Sequence, residues 1–381
     1  MDGAMDTSLA RSGRRRIAGR TLFSLLLVLA AVSTAQARTV TDAMGRAVDI
    51  PDKVDRVICS GPGCLRLLCY LQAQGMAVAV DDAETRKRFL DARPYALANP
   101  QFKKMDTFGE FRGHDNPELI LSLSPQPQVI FKTYGAMGHD PVELQQKTGV
   151  PVVSLDYGDL GERRDAFYNS LRLMADVIGK AKRAEEVTAF FDAGVKDLAS
   201  RTADIPADQR PTVFVGGVAH RGPHGFQSTE PGYPPFSFVN VRNLAYEEGM
   251  SKGQLQHSDA AKEKIVEWDP DVLFLDLSTL QMGADAGGLY ELRTDPAYRS
   301  LTAVRQGNVY GLLPYNWYTA NYGSVLANAW FIGKTVYPDR FKDTDPEAEA
   351  DRIYTFLVGE PVFRQMDALF SNLAFTKVPM Q

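Results

Sequence analysis

Short apolar runs of strand length alternate with stretches of helical spacing along most of the chain. The run Val54-Asp55-Arg56-Val57-Ile58-Cys59 leads through Gly61-Pro62-Gly63 into a helical stretch, 65–74, with Leu65, Leu68 and Leu71 on one face; residues 77–80 follow as the next strand. Strand, glycine-containing turn, helix and strand in that order predict a βαβ unit. The pattern recurs with a helix over 116–123 and a strand over 129–131, then a helix over 141–148 and a strand over 152–155.

From 163 to 203 only Gly179 and Gly194 interrupt helical spacing, which is kept by Leu171, Met174, Ile178, Val187, Phe190, Phe191, Val195 and Leu198. The part after Gly179 predicts a helix about 30 Å long at 1.5 Å per residue, enough to run across the back of two domains. Alternation restarts with a strand at 212–217 and passes a Pro/Gly-rich stretch at 221–235. It continues through helices expected at 239–248 and 258–267, strands at 272–276 and 308–312, and closing helices over 323–336 and 346–370. The predicted fold class is α/β: two Rossmann-like lobes joined by a single long interlobe α-helix, with the ligand cleft between the lobes. The expected domains are an N-terminal α/β lobe at 38–160, a helical segment containing the interlobe helix at 161–204, and a C-terminal α/β lobe at 205–381.

The N-terminus changes the picture of where the chain works. Arg14, Arg15, Arg16 and Arg20 precede the apolar run 22–32, and Ala35-Gln36-Ala37 follows. Basic region, short apolar region and small-residue site in that order predict a cleaved signal peptide over 1–37. The apolar run is about half of a ~20-residue bilayer crossing, so no stable membrane insertion is expected. No Cys stands at the cleavage site, so there is no lipobox, and a periplasmic location is expected. Residues 1–37 carry five Arg and two Asp, so their removal moves the formal charge from −5 to −8. An acidic surface argues against nucleic acid as a partner. Cys59, Cys64 and Cys69 are an odd set within eleven residues, for which buried packing is expected rather than a disulfide or a metal site.

Four stretches carry a family resemblance: 39–51 (Thr-Val-Thr-Asp-Ala-Met-Gly-Arg-Ala-Val-Asp-Ile-Pro) with Val54-Asp55-Arg56-Val57; Asn116-Pro117-Glu118-Leu119-Ile120 ahead of Pro127-Gln128-Val129-Ile130; Lys262-Glu263-Lys264-Ile265-Val266 ahead of Asp269-Pro270-Asp271-Val272-Leu273; and Ala303-Val304-Arg305-Gln306-Gly307-Asn308-Val309-Tyr310. In order and spacing the chain resembles the periplasmic binding proteins for iron–siderophore complexes, haem and cobalamin that serve ABC importers. The resemblance spans nearly all of the chain past residue 37. It implies a rigid clamp that closes modestly on its ligand, no intrinsic cofactor, an ABC importer permease and a small-molecule metal complex as partners, and a monomer. It also implies that one glutamate per lobe, here Glu118 and Glu263, pairs with arginines of the permease. The plainer alternative for both is a carboxylate complementing a helix dipole.

Ligands of doubly wound lobes sit beyond the carboxyl ends of strands. In the N-terminal lobe those positions are Gly61-Pro62-Gly63-Cys64, with Arg66 just inside the helix, and Lys132-Thr133-Tyr134-Gly135; Arg66 and Tyr134 are the candidate side chains. The glycine turn is either an anion seat or a plain connection. In the C-terminal lobe the loop after the 212–217 strand holds His220, Arg221 and His224. The two histidines are the candidate metal ligands, bound directly or through an open position on a chelate; otherwise they hydrogen-bond an anion or only solvent. Arg221 offers a fork for an anionic group. The loop after 308–312 carries Tyr315, Asn316, Trp317 and Tyr318, the densest aromatic cluster, suited to a large, partly apolar ligand.

Two rival functions are weighed. No nucleophile elbow, zinc-protease or P-loop motif occurs, which argues against an enzyme. A small oxyanion or bare metal ion for an ABC importer is the stronger rival. Oxyanions would use Arg66 and Arg221, and a bare ion would draw on His220, His224 and His139. The aromatic loop favours the bulkier metal complex, foremost an iron chelate.

Overall fold

The apolar runs become strands of separate sheets in two halves of the chain. The computed structural model describes residues 37–380. The signal peptide expected at 1–37 therefore lies, but for Ala37, outside the described residues. Strands β1 (Ala37–Thr41) and β2 (Ala47–Pro51) form an antiparallel hairpin. Asp42 fastens it to the body: its carboxylate accepts from the Arg46 guanidinium and from the backbone N–H of Ser154 at 3.1 Å.

The first half then runs through β3 (Val57–Ser60), β4 (Val80–Asp81), β5 (Thr107–Glu110), β6 (His114–Asp115), β7 (Val129–Thr133) and β8 (Val152–Leu155). A parallel sheet of order β3-β7-β8 is flanked by a second sheet, β4-β5-β6, in which β5 and β6 make an antiparallel hairpin. β3, β7 and β8 are buried along their whole length, as parallel strands covered on both faces must be. Their alternation divides the packing: Ile58, Ile130 and Val152 pack with Phe108 and Ile120, while Val57, Cys59, Val129, Phe131 and Val153 face the main core. The expected strand at 77–80 is shorter than its sequence, because a 3₁₀ turn at Gln74–Met76 leaves Ala77 only an isolated bridge to Val57 before β4 begins.

The second half contains β9 (Thr212–Gly216), β10 (Ser228–Thr229), β11 (Arg242–Asn243), β12 (Ser258–Asp259), β13 (Val272–Asp276) and β14 (Val309–Leu312). Its main sheet has the order β11-β9-β13-β14, all parallel. Two expected helices are corrected here. Residues 239–248 are not helical: Pro234 and Pro235 start the helix earlier, as Pro234–Phe238, Asn240 takes φ 51°, and the Arg242 N–H donates to the Pro211 carbonyl, which recruits the chain as edge strand β11. The helix expected at 258–267 begins only at Lys262, because Ser258 and Asp259 pair with β10.

The long helical segment is two helices, Arg164–Val177 and Ala181–Thr202, separated at Gly179, whose φ of 70° ends the first. Gly194 does not break the second. It faces Leu326 so closely that a methyl group there would stand 3.0 Å from Cδ2. The 22-residue helix Ala181–Thr202, about 33 Å long at the usual rise, touches both halves. Phe191 packs on Tyr70 and Phe167 of the first half and on Tyr322 of the second, and Thr202 accepts from Asn240 at 3.0 Å. One hydrophobic core runs through both halves. Among the described residues no helix is long and apolar enough to cross a membrane. Cys59, Cys64 and Cys69 are all buried and unbridged.

Candidate ligand cleft

The loop after β14 is built to hold its own shape. Asn321, which precedes the helix Tyr322–Val336, donates through Nδ2 to the carbonyls of Tyr315 (2.9 Å) and Trp317 (3.1 Å), and its backbone N–H donates to Tyr315 at 2.8 Å. Tyr318 and Thr319 both sit at positive φ, 51° and 63°, which turns the chain sharply at the tip. Such backbone persists only where surroundings determine it. Here they are supplied by the other half.

Arg66, on the helix Cys64–Tyr70 that follows β3, is 1 % exposed. Its Nη1 donates to the Ala320 carbonyl at 2.7 Å and to the Tyr157 hydroxyl, and Nη2 donates to the carbonyls of Trp317 and Tyr318, both at 3.2 Å. Tyr157 adds a bond from its hydroxyl to Ala320 at 2.7 Å. The Tyr134 hydroxyl meets Thr319 Oγ1 at 2.6 Å, and Tyr318 donates to Asp81 Oδ2 at 2.5 Å while accepting from the Arg112 N–H at 3.0 Å. On the first half these partners lie at or just beyond the end of a strand or at the β5–β6 turn. The carboxyl-end rims of the two halves therefore meet. Gly63, at φ 77°, permits the approach: a methyl group there would stand 2.7 Å from Thr319 Cγ2 and overlap the Tyr157 ring.

Buried charge concentrates at this junction. Burial, then the neighbouring Glu84 carboxylate, raises Asp81 to about 7. Behind it Arg93 bridges Glu84 (2.9 Å) and Asp91 (2.8 Å), and Tyr95 donates to Glu84 at 2.6 Å. Lys132 is wholly buried, bonding Asp115 at 2.7 Å and the Gly113 carbonyl at 3.0 Å, which fixes the β5–β6 turn beside the junction. Cys59, Gly61, Gly63, Asp81, Tyr95 and Tyr318 line a gap at the junction that has no room for a water molecule.

On the second half, His220 and His224 stand together with a third histidine, His257, that sequence reasoning did not single out. His220 and His257 rings stack at 4.2 Å, His224 lies 5.5 Å from His257, and His224 Nε2 contacts the His220 carbonyl at 2.7 Å. Burial and then the facing His257 lower the pKa of His220; burial likewise lowers that of His257. Arg221 is exposed at φ 57°. Tyr315 donates to the partly buried Glu230 carboxyl, raised by desolvation to about 8, and Asn316 Nδ2 donates to the Ala219 carbonyl at 2.8 Å. Trp317 is 7 % exposed and packs edge-on against Phe370. Among the described residues no group of three or more His, Cys, Asp or Glu is placed to hold a metal ion.

The candidates thus fall into distinct positions. Arg66, Tyr134 and Tyr318 come together across the junction, with Tyr157, Asp81, Arg112 and Thr319 as partners the sequence did not point to. Of these, Asp81 and Tyr157 stand at the ends of strands expected from the sequence and Thr319 in the aromatic loop, whereas Arg112 carried no such signal. Arg66 is not turned to open space; its Nη groups are taken by carbonyls. Tyr315, Asn316 and Trp317 secure the loop to their own half, and His220, Arg221 and His224 form its rim. His139 lies elsewhere, lining with His114, Glu110 and Glu118 a concavity of about 910 Å³ on the first half. Glu118 is exposed at the second position of the helix Pro117–Ser122, and Glu263 at the second position of the helix Lys262–Trp268.

Two α/β lobes spanned by a stiff helix, with strand-end loops meeting across a junction, define a ligand-binding clamp. The chain belongs to the periplasmic binding protein family, whose model matches residues 57–315. It is 25 % identical over 352 residues to the molybdate-binding protein MolA of Haemophilus influenzae, covering 87 % of this chain and 94 % of MolA. The structure of MolA bound to molybdate superposes with a TM-score of 0.62 at 20 % identity, covering 84 % of this chain and 98 % of that one. An iron-uptake system-binding protein of Bacillus subtilis is 22 % identical over 213 residues, 56 % of this chain and 60 % of that protein. A periplasmic solute binding protein of Veillonella parvula has a TM-score of 0.66 at 16 % identity, covering 89 % of this chain and 97 % of that one.

Proposed function

We propose that this chain is an exported, non-enzymatic solute-binding protein that captures a metal complex, foremost an iron chelate, between its lobes and hands it to an ABC importer permease. The observation that carries the reading is the meeting of the two loop-bearing rims through Arg66, Tyr134 and Tyr318. In this reading Tyr134, His220, Arg221, His224 and Asn316 form the ligand-facing rim, and Arg66, Tyr315, Trp317 and Tyr318 hold the loop that shapes it. Residues 1–37 direct export, the monomer works without a resident cofactor, and Glu118 and Glu263 meet arginines of the permease. Membership of the family and the B. subtilis iron-uptake relative support the metal-complex ligand. A small oxyanion is the second reading, favoured by similarity to MolA along nearly its whole length. Native mass spectrometry of the protein purified from its host separates the two: a metal-containing adduct of chelate mass is expected, and a lone tetrahedral anion would overturn the first reading.

A further inference from the structure

The tip of the loop after β14, residues 317–320, sits in the seam where the two rims meet, and its own half gives it its shape. The Trp317 N–H donates to the Thr319 carbonyl at 3.2 Å, Asn316 and Ala320 form an isolated bridge, and Asn321 ties the carbonyls of Tyr315 and Trp317 together. Trp317 packs on Phe370, and Asn316 donates to Ala219. The first half grips this preformed tip from the other side. Arg66 and Tyr157 donate to the Ala320 carbonyl, Tyr134 meets Thr319, and Asp81 accepts from Tyr318. Parting of the lobes would break the second set of bonds and leave the first intact. The tip is therefore a rigid key carried by the second lobe.

A guest and the tip cannot share the seam. The gap bounded by Gly61, Gly63, Asp81 and Tyr318 has no room for a water molecule, and a methyl group on Gly63 would already stand 2.7 Å from Thr319 Cγ2. The donors that face the seam are taken as well. Arg66, 1 % exposed, gives Nη1 to Ala320 and Nη2 to Trp317 and Tyr318, and its Nε is buried away from any acceptor. Buried donors matched in this way hold the rims together, because each bond must be exchanged for a new one before they part.

We propose that the 317–320 tip is a lock: it keeps the lobes shut in the protein by itself, and a ligand reaches the space between the rims only from the population in which the seam has parted. The inference rests on the reading of this junction as the ligand cleft. A site that is open for a fraction of the time shows an apparent affinity lowered by that fraction. Weakening the lock therefore tightens binding. Truncating a side chain that touches the ligand does the opposite, so the sign of the change separates a locking residue from a binding one.

The test uses the full mature protein and two probes, ferric citrate and sodium molybdate, titrated by calorimetry. Thr319→Ala removes the Tyr134 bond and Tyr318→Phe the Asp81 bond. Each variant should bind the probe that the wild type takes about fivefold more tightly, the effect of one hydrogen bond on a two-state equilibrium. Tyr134→Cys with Thr319→Cys, joined by a bismaleimide about as long as the tyrosine side chain, should bind at least tenfold more weakly than the same variant with its thiols capped singly; Cys59, Cys64 and Cys69 are buried. Spin labels at the exposed positions Gln146→Cys and Glu267→Cys, one on each lobe, read the lock with no probe present. They should report one spacing in the wild type and an added longer one when Tyr318→Phe is introduced. Weaker or equal binding in both weakened variants, full affinity in the crosslinked protein, or a parted spacing already abundant in the wild type overturns the lock. Binding of molybdate without ferric citrate, with the lock pattern intact, overturns the metal-complex reading and leaves the lock standing.

Discussion

The Tyr318 hydroxyl crosses from one lobe to the other and donates to the buried Asp81 carboxyl at 2.5 Å. It is a polar bond inside a desolvated junction, where an unmet partner costs about 1–3 kcal/mol. Tyr318→Phe removes the donor and also the acceptor of the Arg112 N–H. The variant should lose about that much stability, and small-angle scattering should show a wider separation of the lobes. An unchanged melting temperature and scattering profile would mean that this bond does not hold the lobes together.

Glu230 gives the stability a pH dependence of definite sign. Its folded pKa is about 8, above the ordinary carboxyl value of 4.5, because burial disfavours the charged form. Between those two values the folded chain binds more protons than the unfolded chain, so this group's contribution falls as pH rises and levels off above about 8. Glu230→Gln cannot ionise. Its unfolding free energy relative to wild type should therefore climb from pH 5 to pH 8, by an amount on the order of one or more kcal/mol, and a difference independent of pH would refute the assignment.

Gly63 tests the tightness of the junction from its backbone. A methyl group would meet Thr319 and the Tyr157 ring at a φ that side chains rarely adopt. Gly63→Ala should cost about 2–4 kcal/mol, several degrees of melting temperature in a chain of this size. Gly179→Ala serves as the control: its φ is also positive, but open space surrounds it. Equal losses in the two variants would assign the cost to backbone conformation alone.

The docking role proposed for Glu118 and Glu263 can be tested by separating capture from delivery. Glu118 and Glu263 are exposed on different lobes, so Glu118→Ala combined with Glu263→Ala should leave ligand affinity within about twofold. Uptake by cells carrying the cognate importer should fall about tenfold or more. Retained uptake would dismiss the docking role.

Much of the fold was readable because apolar periodicity records burial. The helix Pro141–Thr148 and the strands Val152–Leu155 and Val272–Asp276 stand where their patterns put them. Local pattern failed where pairing with distant chain decided the outcome, as at Arg242 and Ser258, which were drawn into edge strands.

The candidate site was legible only as a set of strand-end loops. Strand ends mark where a ligand can bind, because residue order alone puts them on one edge of a parallel sheet. Which side chains face each other there depends on contacts between residues far apart in sequence, such as Arg66 with Ala320 or His220 with His257. The sequence by itself determined the alternation of strands and helices, the long helix and the loops able to carry chemistry, since all of these follow from neighbours along the chain. The tertiary structure decided that Arg66 spends its hydrogen bonds on the 317–320 carbonyls and that Asp81 waits beneath Tyr318, because burial and pairing across the junction arise only when the two lobes meet.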